Sequence, residues 1–132
     1  MNRNAGTMPI SGRRVLVVED EYFIAEDVAA ALRRAGAVVI GPVASEAAAT
    51  AALLASAAEV DCAVLDINLQ GSLVFSLADT LAEQGIPFLF ATGYSQESVP
   101  ERFSGVPRLE KPFDLGALLQ ALPSLTTSKP AA

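Results

Sequence analysis

Four short apolar runs, each ending in a residue that carries chemistry, constrain this chain more than any other feature. Val15 to Val18 leads into Glu19 and Asp20, Ala63 to Leu65 into Asp66, Phe88 to Ala91 into Thr92, and Val106 to Glu110 into Lys111 and Pro112. Short runs rich in β-branched, aromatic and leucine residues, bounded by turn signals, are the pattern of strands buried on both faces of a parallel sheet. If the runs lie side by side, three carboxylates, a hydroxyl and an ammonium meet at one edge of that sheet.

Helical spacing fills the intervals. Strands are predicted over 13–18, 37–43, 62–66, 87–92 and 107–110. A helix over 21–35 places Ile24, Val28, Ala31 and Leu32 on one face, with Gly36 at its C-terminal cap. Ser45 caps a helix over 46–58, and Ser72 caps another over 73–84 that Gly85 stops. Two turns of helix fit in 95–103, and Asp114 caps a last helix ended by Pro123.

Parallel strands need crossover connections, and those are right-handed. Five such units predict an α/β, flavodoxin-like, doubly wound parallel sheet of order 2-1-3-4-5 with helices on both faces. Ligands in these sheets bind beyond the carboxyl ends of the strands where the winding reverses, which is where Asp20 and Asp66 fall. The expected organisation is one domain over residues 12–123, with flexible segments at 1–11 and 124–132.

Composition narrows the function classes. The chain has 132 residues, 52% hydrophobic and 18% charged, and no stretch approaches the roughly 20 apolar residues that span a bilayer. Its first residues lack the apolar core of a secretory signal, so a cytoplasmic location is expected. A net charge of −6, with Arg13-Arg14 and Arg33-Arg34 as the only basic pairs, argues against direct nucleic-acid binding. With no histidine, Ser-His-Asp and Cys-His catalysis, His-ligated zinc and an internal phosphohistidine are all excluded. Cys62, the one cysteine of the sequence, cannot make an internal disulfide and reads as a small core residue. Three carboxylates brought together repel one another, and a divalent cation such as Mg2+, which prefers oxygen ligands, relieves that repulsion.

Four segments together resemble the receiver domain of bacterial two-component response regulators: Val15 to Glu21, Val64 to Leu69, Ala91 to Tyr94 and Glu110 to Phe113. The resemblance implies that Asp66 is a phosphoacceptor, with Lys111 and Thr92 contacting the phosphoryl group. It also implies that Mg2+ is held by Glu19, Asp20, Asp66 and the main-chain carbonyl of Asn68, and that Gly93 leaves room for the donor. The implied donor is a histidine kinase or phosphotransfer protein and the implied output a contact with a downstream protein, or use as a phosphate sink. Such a chain catalyses nothing beyond its own phosphorylation and dephosphorylation.

Most receivers carry an aromatic rotor three positions before the lysine; here that position is Arg108. With Phe90-Ala91-Thr92-Gly93-Tyr94, this resembles the stand-alone receivers named for a FATGY motif and associated with HWE-type histidine kinases. Tyr94, Phe90 and Arg108 then become the switch residues. Two other classes compete. One is a pseudo-receiver used only as a binding scaffold. The other is a haloacid-dehalogenase-type phosphatase, which needs a second aspartate where Asn68 stands.

Overall fold

Strand side chains alternate between the two faces of a sheet, and here both faces are apolar, so the core divides into two layers. The computed structural model describes residues 10–56 and 59–127. Its strands are β1 Arg14–Val18, β2 Val38–Val43, β3 Cys62–Leu65, β4 Asn68–Leu69, β5 Ser72–Leu73, β6 Phe88–Thr92 and β7 Arg108–Glu110. The helices are α1 Tyr22–Arg34, α2 Glu46–Ser56, α3 Phe75–Glu83 and α4 Leu115–Thr127. The main sheet has the order β2-β1-β3-β6-β7, with every neighbouring pair parallel. This is the expected flavodoxin-like 2-1-3-4-5 arrangement, β6 and β7 being its fourth and fifth strands.

Leu16, Val18, Ala63, Leu65, Phe88 and Phe90 pack with Leu53 of α2 and Leu77, Ala78 and Leu81 of α3. Val15, Val17, Cys62, Val64, Leu89 and Ala91 pack with Val28 and Leu32 of α1 and with Leu118, Leu122 and Leu125 of α4. The two layers are covered by separate helix pairs. Among the described residues no helix is long and apolar enough to cross a membrane.

At β2 the pairing with β1 shifts register between Leu16 and Val18. Gly41 there has φ +98°, and a Cβ would lie 2.8 Å from the Val43 nitrogen, so only glycine fits. The following Pro42 has no N–H to donate, which an edge strand tolerates.

Several local expectations fail for reasons of tertiary packing. Ser72 does not cap a helix: it pairs with Leu69 in the small antiparallel β4–β5 ribbon, turned by Gln70 at φ 55° and Gly71. Helix α3 therefore begins later, at Phe75, and its first turn is capped from α2. Glu46 Oε2 accepts from the Leu77 N–H at 3.2 Å and the Ser76 hydroxyl at 2.8 Å. Ser45, by contrast, caps α2 as expected, accepting from the Ala48 N–H at 3.1 Å. The helix expected over 95–103 is two separate 3-10 turns, Gln96–Ser98 and Glu101–Phe103, because Pro100 between them interrupts the ladder.

The last helix does not end at Pro123 but carries it internally. Leu118, Leu122 and Leu125 are 0%, 0% and 7% exposed. Leu118 and Leu122 precede the proline; burial of Leu125 beyond it, worth about 1.5–3 kcal/mol, offsets most of the roughly 3 kcal/mol that an interior proline costs. Residues 124–127, expected in a flexible tail, thus form the end of α4. Ile10, expected in a flexible leader, is 1% exposed in the α1–α4 layer, and its carbonyl accepts from the Arg13 N–H at 3.0 Å. Residues 1–9, 57–58 and 128–132 lie outside the described residues.

Candidate functional site

Each site residue lies just past a strand or at its last position, and the parallel ladder extends to hold it. The Glu19 N–H donates to the Val43 carbonyl, the Asp66 N–H to the Val18 carbonyl and the Lys111 N–H to the Thr92 carbonyl, each at 2.9 Å. Backbones that are fixed to this degree leave the side chains little choice of direction.

Those side chains converge. Asp66, 4% exposed, accepts from the Thr92 hydroxyl on Oδ1 at 2.8 Å and from the Lys111 ammonium on Oδ2 at 2.8 Å. The same ammonium reaches Glu19 at 2.9 Å and Glu21 at 2.8 Å. Oxygen atoms of Glu19, Asp20, Glu21 and Asp66 lie within 4.8 Å of one another. Three carboxyl groups thus contact one ammonium, and the Asp20 carboxyl lies beside them.

Burial is the main influence on Glu19 and pushes its carboxyl up to about 7, against the opposing pull of the Glu21 N–H and Lys111. For Lys111 burial works against the charge, yet hydrogen bonds to Asp66, Glu21 and Glu19 outweigh it and hold the ammonium well above its ordinary value. The lysine is charged at every physiological pH and the pocket keeps an excess of negative groups. A hard divalent cation fits such an all-oxygen donor set.

A second chain of contacts leaves the site. Thr92 is fully buried, and its hydroxyl oxygen accepts from the Tyr94 N–H at 3.0 Å. The Tyr94 carbonyl in turn accepts from the Arg108 guanidinium, which also lies 3.9 Å from Glu110. The Tyr94 ring meets Phe75 edge-on with centroids 6.2 Å apart. Phe90 pairs with Arg108 in the β6–β7 register and is 1% exposed, within an aromatic cluster with Phe75, Phe88 and Phe103. The Arg108 Nε is buried without a hydrogen-bond partner.

The remaining candidates border the same cleft. Asn68 and Gly93 line it beside Asp66 and Lys111. The Asn68 side chain is committed to the Gly71 N–H at 2.7 Å, and a Cβ on Gly93 would meet nothing within 4 Å. Sequence reasoning assigned no part to Glu21, although the acidic run Glu19-Asp20-Glu21 was its visible signal. That its carboxylate turns to Lys111 rather than capping α1 is decided by β7, far along the chain.

A flavodoxin-like sheet with an acidic pocket, a threonine and a lysine at its carboxyl edge defines a receiver-type α/β domain. The response regulator receiver domain matches residues 15–123, and the chain belongs to that family. Among solved structures it is similar to SdrG from Sphingomonas melonis Fr1, with 37% identity and a TM-score of 0.75 over 86% of this chain and 96% of that one. The BeF3-activated conformation of SdrG, from Pseudomonas melonis Fr1, gives 36% identity and a TM-score of 0.70 over 88% and 98%. The non-phosphorylated HemR receiver domain from Leptospira biflexa gives 26% and 0.75 over 91% and 98%. No curated protein matches the chain.

Proposed function

We propose that this receiver accepts a phosphoryl group on Asp66 with Mg2+ bound and signals through protein contacts that depend on that modification. One observation carries the reading: the Asp66 carboxylate is held between the Thr92 hydroxyl and the Lys111 ammonium, both at 2.8 Å, at the open edge of the sheet. The similarity to SdrG, for which a BeF3-activated conformation is described, supports it.

An ionised carboxylate needs no base to act as nucleophile. An Asp66 oxygen forms the new bond to phosphorus while the bond from phosphorus to the donor breaks. The donor, a phosphohistidine of a kinase or phosphotransfer protein, leaves with the electron pair. Lys111 then pairs with the transferred charge, and the Thr92 hydroxyl turns from Asp66 to a phosphoryl oxygen. Glu19, Asp20, Asp66 and the main-chain carbonyl of Asn68 are the groups that would hold Mg2+, which supplies charge neutralisation at the phosphoryl oxygens. Gly93, open at the cleft, leaves the approach clear.

Movement of the Thr92 hydroxyl loosens the Tyr94 N–H bound to it, and Tyr94 is tied to Arg108. Arg108 is bound to the Tyr94 carbonyl, and its buried Nε has no hydrogen-bond partner, so a shift at Tyr94 reaches Arg108 directly. Segment 93–107 is therefore the element we assign to switching, with Tyr94, Arg108 and Phe90 in place of an aromatic rotor. The Phe90 to Tyr94 motif supports an HWE-type histidine kinase as donor.

The test is Asp66→Asn against wild type, with a kinase or acetyl phosphate as donor. Loss of acid-labile phosphorylation with the fold intact is the expected result. Equal labelling of the variant refutes Asp66 as acceptor. A wild type that takes no label while binding Mg2+ makes the chain a scaffold instead.

A further inference from the structure

Lys111 has three N–H donors, and all three are engaged, by Glu19, Glu21 and Asp66 at 2.8 to 3.0 Å. For the ammonium to reach a phosphoryl oxygen, one of these bonds has to open. The side chains of Glu19 and Asp66 are each 5% exposed, whereas that of Glu21 is 59% exposed. Separating a buried carboxylate from its partner leaves an unpaired buried charge, while Glu21 simply passes into water. Its backbone stays in place, held by the N–H bond to Glu19 Oε2 at 3.0 Å and by the carbonyl that accepts from Ala25.

We infer that Glu21 is a specificity-determining anionic gate on Lys111, competing with the incoming phosphoryl group and disfavouring small free anionic donors. The inference rests on Asp66 being the acceptor. Glu21 lines the same cleft as Asp66, Thr92 and Gly93, so an entering anion meets its charge before reaching Lys111. A small free phosphodonor such as acetyl phosphate brings only its own negative charge to that gate. A phosphohistidine arrives on a protein surface whose docking contacts offset the repulsion.

The experiment compares wild type with Glu21→Gln in the full chain. Beryllofluoride affinity at saturating Mg2+ and the rate of labelling by acetyl phosphate are measured at low and high salt, with Mg2+ affinity titrated separately. Glu21→Gln is expected to bind beryllofluoride and accept from acetyl phosphate about two- to fivefold better at low salt, the scale of one exposed charge contact. The advantage should shrink toward unity near 1 M salt, where screening reaches about 3 Å. Equal affinities at low salt, or a gain indifferent to salt, would overturn the gate. So would a tenfold loss of Mg2+ affinity, which would make Glu21 a metal ligand. Absence of beryllofluoride binding by both proteins with Mg2+ bound would instead strike at the Asp66 reading.

Discussion

Replacing Lys111 with Met keeps most of the apolar stem of the side chain and removes the ammonium with its three donors. The lysine side chain is 12% exposed, and two of its three carboxylate partners, Glu19 and Asp66, are 5% exposed. Removing one partner of a buried ion pair costs about 3–5 kcal/mol, because the other charge stays behind unpaired. Two responses limit the loss here: Glu19, already pushed up to about 7 by burial, takes a proton, and the exposed Glu21 turns to solvent. The lower end, about 3 kcal/mol, is the expected cost without metal. For a chain of this size that is a fall in Tm of roughly 10–15 °C. With the ammonium gone, the acidic pocket should bind Mg2+ about tenfold more tightly, and millimolar Mg2+ should restore part of the lost Tm by mass action. Thermal melts by circular dichroism in EDTA and in Mg2+, with calorimetric Mg2+ titration, measure both effects. A Lys111→Met melt within 2 °C of wild type in EDTA would show that the ammonium does not hold the pocket together.

Two further outcomes follow from the same geometry. Glu19 has a folded-state value of about 7 against 4.5 unfolded, so the native protein binds the extra proton between those values. Its contribution to stability is complete below 4.5 and is lost as the pH rises toward 7, about 3 kcal/mol in metal-free protein; urea titrations in EDTA should show this loss in wild type and not in Glu19→Gln, and parallel slopes would refute the assignment. Arg108→Tyr removes the guanidinium bond to the Tyr94 carbonyl, so amide hydrogen exchange across residues 94–106 should quicken several-fold in the unphosphorylated protein. Unchanged exchange there would mean that Arg108 does not restrain the segment.

The sheet and the residue types at its carboxyl edge were legible because their signals are local and repeat. An unbroken apolar run such as Val15 to Val18 suits only a strand covered on both sides, and its end is marked by the first acid that cannot be buried alone. Parallel connectivity then brings the ends of successive runs to one edge, so Asp66, Thr92 and Lys111 could be grouped from order alone. The contacts among them are another matter. Nothing near Lys111 in sequence states that it serves three carboxylates at once, or that Glu21 is one of them, since those partners lie about 45 to 92 positions away.

The same division explains the local misreadings. Ser72 has the chemistry of a helix cap, but the β4–β5 ribbon uses its backbone and Glu46 arrives from α2 to do the capping. Pro123 has the chemistry of a helix stop, but burial of Leu125 beyond it in the α1–α4 layer offsets most of what the proline costs. By itself the sequence determined the alternation of elements, the five-stranded parallel sheet and the residue types at its carboxyl edge, because period, turn chemistry and the cost of burying charge act within a few residues. Only the tertiary structure decided which acid meets the lysine, which helix is capped from outside and where the last helix ends, because buried groups take whatever partners the distant chain delivers.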